Sequence, residues 1–145
     1  KLEIHLSGNI DGEVLAEIKS FPYLKAKVKQ LGYLSHAEVL AEYNEASVLL
    51  LLLFNSKSGV GNYPGKIFEY FAAKRFILAF GPENSDTKKL IKKTKTGIYF
   101  SYDKINLKND ILDLFKNKNQ FNFENIESFS REKLTKDLTG LLNNI

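Results

Sequence analysis

The segment Ser56-Lys57-Ser58-Gly59-Val60-Gly61-Asn62-Tyr63-Pro64-Gly65-Lys66-Ile67-Phe68-Glu69-Tyr70 decides how this chain folds. It follows an unbroken apolar run, Val48–Phe54, which predicts a strand buried on both faces, as in a parallel sheet. It continues into a helical pattern, Pro64–Lys74, whose first turn tolerates Pro64 because that N–H would have no partner there. A strand, a glycine-bearing loop and a helix N-terminus form the phosphate sites of α/β folds, since free N–H groups and the helix dipole face the anion.

Two interpretations of the predicted helix stay open. The helical period places Lys66, Glu69 and Tyr70 on one face and Ile67, Phe68 and Phe71 on the other. On the first interpretation the apolar face packs on the sheet, Lys66 binds phosphate and Glu69 accepts hydrogen bonds from sugar hydroxyls. On the second, Lys66 and Glu69 form an ordinary i,i+3 surface ion pair. Such pairs are common, so spacing alone favours the second interpretation.

The remaining sequence alternates between strand and helix patterns. Predicted strands are Leu2–Leu6, Val28–Leu31, Val48–Phe54, Phe76–Phe80 and Ile98–Phe100. The first three predicted helices are Glu13–Ser20, a helix capped by Ser35 with Glu38, and Pro64–Lys74. The fourth runs from the cap Ser85 through Thr94, with Gly97 as its C-cap. The fifth is Leu107–Lys116, with Leu107, Ile111, Leu114 and Phe115 inward, and the sixth is capped by Ser130 and has an apolar stripe of Leu134, Leu138, Leu141, Leu142 and Ile145. This alternation predicts one Rossmann-like α/β domain over residues 1–145, a parallel sheet with helices on both faces. Ligands bind such sheets at the carboxyl ends of the strands, where the loops Ser7–Asp11, Gly32–Ser35 and Asn55–Gly65 lie.

Composition excludes several classes of function. The 145 residues are 43% hydrophobic, enough for one core, but no apolar run approaches the roughly 20 residues that cross a membrane. Cysteine is absent, so disulfides and thiolate catalysis are excluded. We therefore expect a cytoplasmic location, which is compatible with peripheral attachment at the inner membrane surface. His5 and His36 are far apart and show no metal-ligand spacing, so neither a metal nor a cofactor is expected. His5 is predicted to lie on the surface of the sheet.

The net charge of +4 is concentrated in one predicted helix. Its lysines are Lys88, Lys89, Lys92, Lys93 and Lys95. Charge runs of this kind usually form a solvated face, and no aromatic residues are interleaved with the lysines. No nucleic-acid partner is therefore expected.

Familiar catalytic and nucleotide motifs are incomplete. Gly59-Val60-Gly61 begins like G-x-G-x-x-G, but Pro64 stands where the last glycine would be. Gly65-Lys66 does not belong to a P-loop, since Val60 replaces the first glycine and Ile67 the hydroxyl residue. No G-x-S-x-G nucleophile elbow is present.

Four segments carry a resemblance to a known family. They are Leu31–His36, Ala46–Leu50, Tyr63–Ala73 and Phe76–Ala79, followed by the closing Phe129–Leu134. In this order they resemble the C-terminal, donor-binding domain of GT-B-fold retaining glycosyltransferases, of the type that builds bacterial polysaccharide and lipopolysaccharide. The Tyr63-Pro64-Gly65-Lys66 and Glu69-Tyr70 segment is the most specific part of the match, which covers most of the chain.

The resemblance implies a site for a nucleotide-diphosphate sugar. Glu69 matches the family glutamate that binds the ribose hydroxyls, while Lys66 and the N–H groups around Gly65 would hold the diphosphate. The loop of Gly32, Tyr33 and Leu34 would lie against the base. Asn55 and Ser56, with Lys57, would line the side of the sugar. The family's second glutamate, eight residues earlier, is replaced here by Gly61.

The resemblance also implies missing parts. The chain contains no Met and opens at Lys1 in a strand pattern, so we expect a C-terminal fragment that lacks the N-terminal acceptor domain. The family domain begins with a central strand and a helix before the match to Leu2–Leu6. Their absence should leave a gap in the sheet, which a homodimer of the fragment or a changed strand order would fill. Two alternatives are a non-catalytic Rossmann-like module that binds a nucleotide or a protein, and a sugar-nucleotide epimerase, for which no acid/base residues are identified.

Overall fold

Parallel strands flanked by helices build the chain in the computed structural model, which describes residues 2–117 and 123–143. The predicted α/β class is therefore confirmed, and it is consistent with a Rossmann-like fold. The chain divides into two units, Lys1–Glu42 and Tyr43–Ile145. Within the described ranges the strands form two separate sheets, one of two strands and one of three.

The first unit contains a two-stranded parallel sheet. Strand β1 (Ile4–Ser7) pairs with β2 (Val28–Gly32), and the helices α1 (Gly12–Ser20) and α2 (Pro22–Lys25) connect them. Helix α3 (His36–Glu45) follows β2 and begins with the predicted capping box. The Ser35 N–H donates to the Glu38 carboxylate at 2.7 Å, and the Glu38 N–H donates to the Ser35 hydroxyl at 3.4 Å.

The second unit contains three parallel strands with β4 in the middle. The strands are β3 (Val48–Leu52), β4 (Phe76–Gly81) and β5 (Gly97–Ser101). The helices are α4 (Lys57–Val60), α5 (Lys66–Ala73), α6 (Asp86–Thr94), α7 (Leu107–Asn117), a 3₁₀-helix at Ile126–Phe129, and α8 (Arg131–Leu142). This order brings the loops after β3, β4 and β5 to one edge of the sheet.

Helices cover both faces of the three-stranded sheet. Strand β4 alternates, so Ile77 and Ala79 face one side and Phe76 and Leu78 the other. On the first side they pack against Ile67 and Phe71 of α5, and against Leu90 and Ile91 of α6. On the second side they pack with Phe100 of β5 and with Leu107 and Ile111 of α7. The core of the unit therefore has two layers.

The strand predicted at Val48–Phe54 differs from the expectation. It ends at Leu52, and only one of its faces is buried, with Leu49, Leu51 and Leu53 in the core. The other face is open, since Leu50, Leu52 and Phe54 are 43%, 63% and 79% exposed. In the described residues β3 pairs with β4 alone, and the layer that includes α7 reaches β3 only at Val48. An unbroken apolar run predicts two buried faces, but the sequence carries no signal for what covers each face.

Two predicted helix ends are also corrected. Helix α6 ends at Thr94 as predicted, but its C-cap is Lys95, in the left-handed conformation (φ 50°), and not Gly97. Gly97 instead opens β5, where a Cβ atom would stand 1.9 Å from the Ile77 carbonyl oxygen. Pro64 precedes α5, whose first helical residue is Lys66. Gly97 and Pro64 therefore both lie just outside the helices to which they were assigned.

The stripe predicted to face inward on α8 is exposed. Its leucines Leu134, Leu138, Leu141 and Leu142 are 51%, 56%, 67% and 60% exposed. Ser130 caps the helix as predicted, accepting from the Lys133 N–H at 3.2 Å. On α7, Phe115 is 37% exposed rather than inward. Ile145, the Leu114 side chain and residues 118–122 lie outside the described residues.

Candidate functional site at the carboxyl edge of the second sheet

The N-terminus of α5 is open at the carboxyl edge of the sheet. Gly65 is its N-cap, and no side chain caps the helix. The Ile67 and Phe68 N–H groups donate to the Pro64 and Gly65 carbonyls at 2.9 and 3.2 Å. The N–H groups of Gly65 and Lys66 form no hydrogen bond with the described part of the chain, as is typical of a first helical turn. An open turn of this kind can accept an anion.

Lys66 and Glu69 differ in their surroundings. Lys66 is exposed at the first position of α5, whereas Glu69, one turn later, is half-buried. Over residues 2–117 and 123–143, no ion pair joins Lys66 to Glu69. The ammonium group of Lys66 is therefore not held by the carboxylate that could most easily neutralise it.

The predicted faces of α5 need one correction each. Tyr70 was expected on the ligand face beside Glu69, but it is only 6% exposed and belongs to the core. Phe68 was expected on the sheet, but it is 39% exposed and packs on Phe71 and Phe129, with ring centroids 6.1 Å away in both contacts. The 3₁₀-helix that carries Phe129 forms a second apolar wall beside α5, which widens the buried part of the helix surface.

Two tyrosines lie close to Glu69. The rings of Tyr43 and Tyr70 meet edge to face, with centroids 5.0 Å apart. Burial raises the pKa of the Tyr43 phenol, and the nearby Glu69 carboxylate raises it further. Burial likewise raises the pKa of Tyr70, whose hydroxyl donates to the Leu50 carbonyl at 3.1 Å. Both phenols therefore remain neutral donors beside Glu69.

The loop between β3 and α5 is fastened to the start of α6. The Thr87 hydroxyl donates to the Asn62 carbonyl at 2.7 Å, and the Ser85 hydroxyl lies 3.5 Å from the Gly59 carbonyl. Ser85 also caps α6, accepting from the Thr87 N–H at 3.2 Å. Ser85 and Thr87 are fully buried, although the loop that they hold is largely exposed.

Tyrosines of β5 and the loop after it complete the tie between neighbouring strand ends. The Tyr99 hydroxyl donates to the Pro82 carbonyl at 2.9 Å, and the Tyr102 hydroxyl donates to the Leu53 carbonyl at 2.6 Å. Gly81 makes room for Tyr99, since a Cβ atom there would meet the Tyr99 oxygen at 2.2 Å. The three strand ends are thus linked by side-chain hydrogen bonds to backbone carbonyls.

Lysines near this edge are mostly paired. Lys88 pairs with Glu83 and Lys89 with Asp86 at 2.7 Å, whereas Lys95, at the opposite end of α6, pairs with Glu124 at 2.6 Å. Lys92 and Lys93, farther along α6, are exposed. The predicted solvated face of α6 is confirmed. Groups of three or more acidic, histidine or cysteine side chains that could hold a metal ion do not occur among the described residues.

The residues predicted to bind the donor fall in both units. Gly32, Tyr33 and Leu34 follow β2 in the first unit, where Gly32 has φ 68°, Tyr33 is 86% exposed and Leu34 is half-buried. In the second unit, Asn55 and Ser56 are exposed directly after β3. Gly65, Lys66 and Glu69 lie on the first turn of α5 and just before it. The structure thus brings these last five residues to the same end of β3.

Sequence reasoning did not find Thr87, Tyr99 and Tyr102, which hold the loops in place. Their positions look ordinary in the sequence, since Thr87 follows a predicted cap and the two tyrosines lie in or beside a predicted strand. Contacts to distant backbone carbonyls leave no local pattern.

No protein-family model, no curated protein and no solved structure matches this chain. Among the described residues, no helix is long and apolar enough to cross a membrane.

Proposed function

We propose that the chain binds a nucleotide-diphosphate sugar and serves as the donor-substrate domain of a glycosyltransferase. The observation that carries the proposal is the open N-terminus of α5, which follows a parallel strand and begins with Lys66, a residue that forms no ion pair with the described residues. Free N–H groups, the positive end of the helix dipole and an ammonium group together suit a diphosphate.

The missing Lys66–Glu69 ion pair supports this proposal over the surface-pair interpretation. Glu69 is half-buried beside two neutral phenols, whereas a purely solvated surface pair needs no such surroundings. A carboxylate accepts hydrogen bonds from neighbouring hydroxyls, which suits the two hydroxyls of a ribose. The order of phosphate-binding and ribose-binding groups along α5 is therefore consistent with one nucleotide lying across its first turn.

In the transfer reaction the sugar leaves its nucleoside diphosphate and joins an acceptor. Negative charge develops on the departing diphosphate, and Lys66 with the N–H groups of Gly65 and its neighbours would stabilise it electrostatically. Glu69 would hold the ribose, and Asn55 and Ser56 would contact the sugar. The assignment of Asn55 and Ser56 rests on the resemblance.

The resemblance further suggests that turnover needs an N-terminal acceptor domain, in polysaccharide or lipopolysaccharide synthesis at the cytoplasmic side of a cell envelope. We accordingly expect the 145 residues to bind donor but not to transfer sugar. An assay with labelled UDP-sugars and GDP-sugars checks this, and detectable transfer would contradict it.

Calorimetric titration with UDP, GDP and ADP tests the donor site. At least one should bind with a Kd below about 1 mM, which corresponds to about −4 kcal/mol. If all three fail at millimolar concentration, the chain is not a donor-binding domain.

A non-catalytic protein-binding module is the second candidate. The exposed apolar side chains of β3 and α8 favour it, because large exposed apolar patches mark interaction surfaces. Such a module would self-associate or bind another protein, and it would not bind nucleotides. Sedimentation analysis of the chain alongside the titrations separates the two candidates.

A further inference from the structure

The last residues before α5 are held by a buried hydroxyl from another helix. Thr87 of α6 has no exposed surface, and its hydroxyl donates to the Asn62 carbonyl at 2.7 Å. If this bond were broken, the buried hydroxyl or the carbonyl would be left without a partner, at the cost of its lost hydration. The bond therefore helps to hold the loop in one conformation. Only Tyr63 and Pro64 separate Asn62 from Gly65, so a fixed Asn62 limits where α5 can start.

The neighbouring part of the loop is constrained by close packing. A Cβ atom on Gly59 would lie 2.1 Å from the Phe54 carbonyl oxygen and 3.3 Å from a side-chain carbon of Pro82. Ser85 is buried beneath it, but its 3.5 Å contact with the Gly59 carbonyl is at the limit for a hydrogen bond. Of the hydrogen bonds described between this loop and α6, the one made by Thr87 is therefore the shorter and stronger.

We propose that Thr87 is a positioning residue for the diphosphate site. By holding the Asn62 carbonyl, its hydroxyl fixes the short connection to α5 and thus the direction of the Gly65 and Lys66 N–H groups. The role in ligand binding rests on the proposed function, whereas the order of the loop can be measured without any ligand. Thr87 touches no ligand itself, so its effect on binding passes through the backbone of Asn62.

Substitution of the hydroxyl tests this role. Thr87→Val keeps the shape and burial of the side chain but removes the donor. Hydrogen exchange of the hydrogen-bonded amides on either side of the tie, Gly59, Ile67 and Phe68, measured by NMR, should become about 3- to 10-fold faster than in the unmodified chain. The Kd of whichever of UDP, GDP and ADP binds best should rise by about the same factor.

The same helix offers a matched control. Thr94 is as fully buried as Thr87, but its hydroxyl bonds to the Leu90 carbonyl at 2.8 Å and lies 2.9 Å from that of Thr96. Thr94→Val should destabilise the fold without preferentially speeding exchange of the Gly59, Ile67 and Phe68 amides or weakening nucleotide binding. Thr87→Ser, which keeps the hydroxyl, should restore both properties, and Thr87→Ala replaces the valine variant if that one does not fold.

The outcomes separate the two proposals. Equal loop exchange in the Thr87→Val and Thr94→Val variants overturns the positioning role, as does a faster loop with unchanged nucleotide affinity. If the unmodified chain binds none of the three nucleotides, the donor site and the role of Thr87 in it are overturned together. The exchange data then still decide whether Thr87 orders the loop.

Discussion

The Tyr70 hydroxyl donates a 3.1 Å hydrogen bond to the backbone carbonyl of Leu50, at the edge of β3 that β4 does not occupy. Leu53 donates its N–H to Phe80 of β4, and alternate residues of a parallel strand face the same neighbour. Leu50 therefore turns its backbone groups to the open edge. Open edges invite pairing with other chains, so the tyrosine side chain occupies an acceptor that would otherwise be available.

Removal of this hydroxyl should destabilise the second unit. Tyr70→Phe keeps the edge-to-face contact with Tyr43 but leaves the Leu50 carbonyl without its partner, at a cost of about 1–2 kcal/mol in unfolding free energy. Tyr102→Phe is the matched control, since the Tyr102 hydroxyl also donates to a β3-side carbonyl but the residue is 40% exposed. Water can replace that bond, so this loss should be smaller in urea unfolding. An equal loss of unfolding free energy in the two variants would contradict the special contribution of the Tyr70–Leu50 hydrogen bond.

Substitution by alanine should change the stability of the fold in opposite directions at two glycines. At Gly97 a Cβ atom would stand 1.9 Å from the Ile77 carbonyl oxygen, so Gly97→Ala must separate β4 from β5 and should cost more than about 2 kcal/mol. Gly140 lies inside α8 with nothing within 4 Å of an added methyl group, so Gly140→Ala should stabilise by about 0.5–1 kcal/mol. Thermal unfolding of both variants measures the difference, and a tolerated Gly97→Ala would show that the strands can move apart.

Local rules predict the elements of this fold well. The alternation of apolar runs with helical stripes, and the caps at Ser35, Ser85 and Ser130, depend only on neighbouring residues and are confirmed. What covers each element depends on the rest of the chain, so local rules miss the exposure of Leu50 and of the α8 stripe. The same limit applies to the candidate site. Lys66 and Glu69 could be found from spacing, whereas Thr87 holds a carbonyl 25 positions away and has no local signal.

The first unit should show a pH-dependent stability that depends on His5. Its ring nitrogens lie 2.7 Å from the Glu42 carboxylate on α3 and 2.9 Å from that of Glu3, just before β1. These two acceptors raise the pKa of His5, Glu42 most strongly, and Lys29 followed by His5 lowers the pKa of Glu3 to about 2. The protonated ring therefore stabilises the fold below its unfolded pKa of about 6.5, and this contribution is lost as the pH rises through the higher folded value.

Urea unfolding between pH 5 and pH 9 measures this contribution. The midpoint should fall across that range more steeply in the unmodified chain than in His5→Asn. The contribution of Glu3 is complete above pH 4.5 and disappears only as the pH falls towards 2, so it does not vary within this range. His36→Asn is the control, because no carboxylate pairs with His36 among the described residues, and it should keep the full slope. Parallel pH profiles for the unmodified chain and His5→Asn would rule out the ion pairs of His5 as their cause.

Substitutions on α5 should distinguish a phosphate contact from a ribose contact. Lys66→Ala removes a charge-assisted contact worth about 1.5–3 kcal/mol, or roughly 10- to 100-fold in affinity. The loss should be larger for a nucleoside diphosphate than for the bare nucleoside. Glu69→Gln should weaken both about equally, because each carries the ribose hydroxyls that Glu69 would bind.

A 2′,3′-dideoxy nucleoside diphosphate completes the comparison, measured by calorimetry on the same variants. It lacks the hydroxyls, so Glu69→Gln should matter little for it, whereas Lys66→Ala should still weaken it strongly. Lys74→Ala is the control, since Lys74 lies at the opposite end of α5 and should leave every affinity unchanged. If Lys66 and Glu69 belong only to the solvated surface, each substitution changes stability by less than about 1 kcal/mol and binding not at all. Small and equal effects on all three ligands would therefore overturn the proposed donor site but not the assignment of the α/β fold.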